Sequence, residues 1–140
     1  MFLLDTNVVS ELMRNTPNTR VLSRVDEQLT KDLFVTAVTE AEIRTGVAVL
    51  PEGTRRRCLA QAAERTLNSL FVDRVLPFDG NAAMAYAEIF AACRTDGRPI
   101  SQADCQIAAI AHSQGMRVVT RNIRDFIDIG IEVIDPWTIA

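Results

Sequence analysis

Short apolar runs that stop at a polar or acidic residue, each followed by a helical pattern, constrain this chain more than any other feature. Phe2-Leu3-Leu4 stops at Asp5, and Leu33-Phe34-Val35 stops at Thr36. Val75-Leu76 leads through Pro77-Phe78 to Asp79, and Arg117-Val118-Val119 stops at Thr120. A last run lies within residues 130–136. Runs this short are consistent with buried strands. Between them the apolar spacing predicts helices over about 21–29, 39–50, 55–70, 81–94 and 101–114. A further helix starts at Thr6-Asn7, with Val8, Val9 and Leu12 as its apolar side. Asn15-Thr16-Pro17-Asn18 reads as a turn, Pro51-Glu52-Gly53 as a stop, and Gly115 as the close of the helix before it. Strands alternating with helices give an α/β chain with a mostly parallel sheet covered by helices. Ligands bind such sheets outside the carboxyl ends of the strands. That rule selects Asp5 and the segment Thr120-Arg121-Asn122.

A length of 140 residues suits one domain with one core, and a 48% hydrophobic fraction is ordinary for it. No apolar run approaches the roughly 20 residues that span a bilayer. Met1-Phe2-Leu3-Leu4 meets Asp5 with no basic segment before it, so no signal peptide is expected and the cytoplasm is the expected compartment. Cys58, Cys93 and Cys105 form no CxxC pair and are expected to be buried thiols. His112 is the only histidine, so any metal must be held by oxygen. A net charge of −3 argues against a protein that coats nucleic acid by bulk charge. It leaves room for a nuclease, whose acids are offset by bound cations. Apart from Lys31 every cation is an arginine, the residue suited to bidentate phosphate contacts.

Several acids stand where chemistry is as good an explanation as structure. Asp5 follows the first apolar run directly, although Asp5-Thr6-Asn7 could equally cap the next helix. Asp104 has Ile107, Ala108 and Ala111 three, four and seven residues on, which puts it on its helix's apolar stripe. A charge facing a core is costly unless paired or metal-bound. A capping box with Ser101 explains an acid at 104 but not that placement. Glu42 repeats the arrangement in Thr39-Glu40-Ala41-Glu42, with Gly46 one turn later leaving room beside it. Beyond Thr120, Asn122 offers an oxygen, and Asp125 is either a ligand or a surface partner of Arg121 or Arg124. Oxygen donors on separate elements at one sheet edge are what Mg²⁺ or Mn²⁺ requires. Such clusters hydrolyse phosphodiesters. Without a cation the carboxylates repel, and at least one is expected to have a raised pKa.

These segments resemble the motifs of PIN-domain proteins. Phe2-Leu3-Leu4-Asp5-Thr6-Asn7 is similar to the family's opening, and Thr39-Glu40-Ala41-Glu42-Ile43-Arg44-Thr45-Gly46 to its second acidic motif. Leu76-Pro77-Phe78-Asp79 resembles the strand before its later helices. Ile100-Ser101-Gln102-Ala103-Asp104 resembles its third motif, and residues 119–126 its fourth. Pro136-Trp137 is similar to the end of the VapC and FitB branch. The resemblance covers essentially the whole chain, residues 1–140, and implies a three-layer α/β/α sandwich. It further implies an endoribonuclease toxin dependent on Mg²⁺ or Mn²⁺ that acts through metal-activated water. The protein would form a homodimer, blocked by a VapB-like antitoxin that supplies the binding to operator DNA. Asp5, Glu42 and Asp104 correspond to the first three acids. At the fourth, Asn122 stands where many relatives have aspartate, and Asp125 is the candidate substitute. Thr6 and Thr120 are expected to orient ligand oxygens, and Arg98 and Arg121 to grip RNA. The neutral Asn122 keeps a non-catalytic partner-binding module on the same fold as the alternative. A response-regulator receiver needs an acidic pair after the first strand and a late lysine, both absent. A serine hydrolase needs a G-x-S-x-G elbow, also absent.

Overall fold

The computed structural model describes residues 1–138. Five short strands form one fully parallel sheet in the order β3-β2-β1-β4-β5. They are β1 (Phe2–Leu4), β2 (Leu33–Thr36), β3 (Val75–Leu76), β4 (Arg117–Val119) and β5 (Val133–Ile134). Pairing runs Leu3↔Phe34 on one side of β1 and Leu3↔Val118, Leu4↔Val119 on the other. After β1 the chain builds outward through β2 and β3, then returns to add β4 and β5 on the opposite side. The strand order therefore reverses beside β1, and a crevice opens there at the carboxyl ends. Asp5 is the residue immediately after β1.

Two-residue alternation sends successive side chains to opposite faces. Leu4, Leu33, Val35 and Val119 face one core, while Leu3 and Val118 face the other. On the first face pack α1 (Thr6–Leu12), α2 (Thr19–Asp26), α3 (Ala37–Ala48) and α4 (Thr54–Arg65). On the second pack α5 (Gly80–Thr95), α6 (Gln102–Gln114) and the single turn α7 (Ile123–Phe126). Helices on both faces of a parallel sheet are what the pattern predicts, and they make the three-layer α/β/α sandwich that the resemblance implies. Among the described residues no helix is long and apolar enough to cross a membrane.

Local chemistry accounts for most element ends. Asn18 caps α2 by accepting from the Arg20 and Val21 amides, and Asp79 caps α5 by accepting from Ala82 at 2.9 Å. Gly115 closes α6 at φ 65°, a left-handed position that glycine adopts without a Cβ penalty. The helix expected over 55–70 is α4 continued by a wider-wound turn over Thr66–Leu70, which seats Leu67 in the core. Two short elements carry no sequence signal of their own, a 3₁₀ turn at Thr30–Asp32 and α7. Phe126 anchors α7 and is completely buried; losing such an aromatic costs about 3–5 kcal/mol. Cys93 and Cys105 are buried as expected, and burial pushes the Cys105 thiol up to about 11. Cys58 is exposed on α4, contrary to expectation. Its helix buries only Ala62 and Ala63, leaving the first turns to solvent.

Candidate active site

The carboxyl edge at the switch point collects side chains from five separate elements. The Asp5 amide donates to the Val119 carbonyl at 2.9 Å, which extends the β1–β4 pairing by one step and brings Asp5 beside Thr120. Asp5 is 3% exposed. It also caps α1, with Oδ1 accepting the Thr6 amide at 2.8 Å. The cap expected of this residue therefore forms, because a carboxylate at a strand end also meets the positive end of the following helix. Oδ2 accepts the Thr120 hydroxyl at 2.7 Å and the Asn7 side-chain amide at 3.3 Å. Thr120, fully buried, accepts in turn from Asn7 at 3.2 Å and from the Asn122 amide at 3.0 Å. Asn7 Oδ1 accepts the Arg121 amide at 3.2 Å.

Glu42 enters from α3. Thr36, rather than Thr39, caps that helix by accepting the Thr39 amide at 3.0 Å, so Glu42 lies beyond the first turn and outside any capping box. Its Oε1 accepts the Thr6 hydroxyl at 2.6 Å, and Thr6 also shares a 3.0 Å hydroxyl contact with Thr39. Gly46, one turn on, has open space where a side chain would stand.

Asp104 enters from the first turn of α6. Only half of the expected capping box forms. Ser101 Oγ accepts the Asp104 amide at 3.1 Å, with no return bond to the Ser101 amide among the described residues. Asp104 is half-buried. Asp125 and Asn122 come from α7 and its cap, and both are exposed.

Electrostatics shows which of these groups feel one another. Burial raises the Asp5 carboxyl above the usual carboxylate range. Its bonds from Thr120 and Thr6 oppose that rise, and the nearby charges of Asp104 and Glu42 add to it. Burial also raises Asp104; the Ser101 hydroxyl opposes the rise, and Asp125 and Glu42 add to it. Repulsion therefore links Asp5 with Asp104 and Glu42, and Asp104 with Glu42 and Asp125. Among the described residues no three acidic, histidine or cysteine side chains are drawn together closely enough to hold a metal as they stand. The donors are all hard oxygens, the chemistry that fits Mg²⁺ or Mn²⁺. Asn122 is engaged through its backbone amide with Thr120.

The two arginines expected to hold RNA are occupied within the protein. Arg98 donates to the Ile127 carbonyl at 3.0 Å and lies 3.4 Å from Asp96. Arg121 stacks over the Trp137 ring at 4.9 Å. Asn7, Thr36 and Thr39 also position the site, and the sequence signal for Asn7 and Thr36 is a polar residue at or just beyond a strand-like run.

A family model described as PIN domain matches residues 2–132, and the chain belongs to the PIN-domain family. Within it the chain falls among the VapC- and FitB-type ribonuclease toxins. It is 40% identical to the VapC ribonuclease Y4jK of Sinorhizobium fredii over 98% of this chain and 98% of that protein. It is 40% identical to the toxin FitB of Neisseria gonorrhoeae, over 98% of this chain and 99% of that one. A solved structure of FitAB bound to a DNA fragment superimposes with a TM-score of 0.92 at 40% identity, covering 100% of this chain and 98% of that chain.

Proposed function

We propose that this protein is a single-domain, metal-dependent endoribonuclease toxin whose reaction centre is the Asp5, Glu42, Asp104 and Asp125 group. One observation carries the reading: carboxylates from four elements stand near enough at the sheet's carboxyl edge for charge to be felt between them, and two of them, Asp5 and Asp104, are held above their usual range by burial and by neighbouring acids. An acid cluster assembled for stability alone would be neutralised by arginines, and none of the ion pairs among the described residues involves Asp5, Glu42, Asp104 or Asp125.

Asp5 and Asp104 would hold the divalent cation, either Mg²⁺ or Mn²⁺. Glu42 would hold it or orient a water beside it, and Asp125 would complete the set, with Asn122 as a neutral oxygen donor. A cation bound there neutralises charge on the reacting phosphate and makes water a stronger nucleophile. The chain's own residues do the positioning. Thr120 and the Thr6 amide fix both oxygens of Asp5, and the Thr6 hydroxyl fixes Glu42. The alternative of a non-catalytic binding module rests on the neutral Asn122. Asp125, whose charge is felt at Asp104, supplies an acid from the same turn, which favours the nuclease.

The FitAB structure pairs its toxin with a partner on DNA. By analogy a VapB-like antitoxin blocks this site and contributes the contacts to operator DNA, and the toxin acts in the cytoplasm as a homodimer. The deciding experiment incubates total cellular RNA with the purified protein and Mn²⁺ or Mg²⁺, beside EDTA and Asp104→Ala controls. Discrete cuts seen only with metal and intact Asp104 support the reading. A folded, antitoxin-free protein that leaves RNA whole overturns it.

A further inference from the structure

A groove of about 280 Å³ opens beside the acid group, between α1, α3 and α4. Thr6 and Glu42 stand on its wall, which places it next to the reaction centre. Its other wall residues include Ile43, Val47 and Leu59, together with two cations, Arg14 from just beyond α1 and Arg55 from the first turn of α4.

Arg55 begins a run of three, Arg55-Arg56-Arg57, at the amino end of its helix, with no acid in that first turn. The amino end of a helix already carries partial positive charge, so cations are least favoured there. Arg57 donates to Thr54, whereas Arg55 makes no hydrogen bond or ion pair to any described residue. Arg14 is exposed and shares Glu11 at 3.3 Å. The run therefore opposes its own helix and lacks acidic partners within the fold. An anionic partner from outside explains its placement. In a chain of net charge −3 whose reaction centre is itself a cluster of acids, a polyanionic substrate needs cations beside that centre.

We propose that Arg55 and Arg14 bind backbone phosphates of the RNA strand on the side of the scissile bond that leaves the reaction centre past Glu42. This rests on the ribonuclease reading above and adds the path of the substrate to it. The groove's apolar floor then lies under the sugars and bases, and the two guanidiniums fix the strand's register. They carry little sequence information, as phosphate contacts do.

The test measures binding of a fluorescently labelled RNA 20-mer of randomised sequence in EDTA, where the proposed metal-dependent hydrolysis does not run. Fluorescence anisotropy follows binding across a salt series for wild type, Arg55→Ala, Arg14→Ala and the double variant. Arg65→Ala, at the other end of α4, serves as the control. Each lost phosphate contact lowers the slope of log K against log salt by about 0.7 for a single strand. The double variant is therefore expected to lose about 1.4 in slope, to bind at least tenfold more weakly, and to raise KM with kcat little changed. Arg65→Ala is expected to match wild type, Arg55→Lys to restore most of the slope, and thermal melts to show every variant folded. Wild-type slope and KM in the double variant overturn the proposal while leaving the nuclease standing. Equal losses in Arg65→Ala also overturn it, because they reveal general attraction and not a site. A wild type that neither cuts nor binds RNA removes the ribonuclease reading and this proposal with it.

Discussion

Two buried acids on the seven-residue helix α1 have been treated in opposite ways. Asp5 at its amino end is 3% exposed, and Glu11 in its last turn is 8% exposed. Glu11 is lowered from its ordinary value, because it accepts the Asn18 amide at 2.9 Å, with further help from Arg14 and Arg121. Asp5 is raised from its ordinary value, because burial outweighs its hydrogen bonds and two further acids stand nearby. Burial alone therefore does not mark function. A structural acid is surrounded until its charge is satisfied, and Glu11 holds the 15–18 turn against α1 in this way. A functional acid is positioned by donors yet left with charge to spare.

The sharpest way to break this contrast is catalytic. Asp5→Asn keeps the shape and is expected to reduce RNA cleavage by at least a thousandfold, whereas Glu11→Gln retains cleavage within a few-fold. Comparable losses in both would erase the distinction.

Stability should show the reverse order. Glu11→Ala leaves the Asn18 amide without its acceptor and is expected to cost about 1–3 kcal/mol, read by urea denaturation. Asp5→Asn relieves repulsion and is expected to raise the melting temperature. A stabilised Glu11→Ala or a destabilised Asp5→Asn would contradict the assignment.

The pH dependence follows with opposite signs. For Asp5 and Asp104 the folded value is raised, so the folded state binds protons first. Stability should grow as pH falls from their raised values toward the usual carboxylate range. For Glu11 the folded value is lowered, so its contribution is full above the usual range and fades as pH falls toward the lowered value. Thermal melts over pH 3–8 should therefore show a maximum on the acid side that flattens in Asp5→Asn/Asp104→Asn. A curve of unchanged shape would count against the repulsion.

Added Mn²⁺ is expected to raise the melting temperature of wild type and of Glu11→Gln, and to leave Asp104→Ala unmoved. The smallest effect belongs to an exposed network, Arg44 bridging Glu40 at 2.7 Å and Glu64 at 2.6 Å. Arg44→Ala is expected to cost at most about 1 kcal/mol, the ordinary worth of surface pairs. A larger loss would mean that α3 and α4 depend on it.

The layered sheet was legible because each strand is a bare apolar run with a polar stop, a pattern set by burial on both faces. Asp5 and Asp104 stand out in the sequence by a strand's end and an apolar stripe, although a helix cap explains Asp5 equally well, and Glu42 stands out only through its motif. The cap of α3 was misplaced by three residues, since Thr36 and Thr39 offer the same side chain and only the backbone decides between them. Asp125 and Asn122 could not be ranked, because α7 is a single turn held by Phe126 from the far side of its own chain. Nor does spacing reveal a bond such as that from Thr120 to Asp5, which joins residues 115 apart.

That bond has a consequence for order within the site. A threonine hydroxyl has one proton and two lone pairs. Asn7 and the Asn122 amide approach both lone pairs of Thr120, so its proton has a single direction left, toward Asp5 Oδ2. The hydroxyl rotor is frozen by the fold itself, and its rotational entropy has already been surrendered before anything arrives. Asp5 is accordingly presented with one oxygen edge fixed in advance, so a ligand docking there meets a carboxylate that does not have to be stilled first.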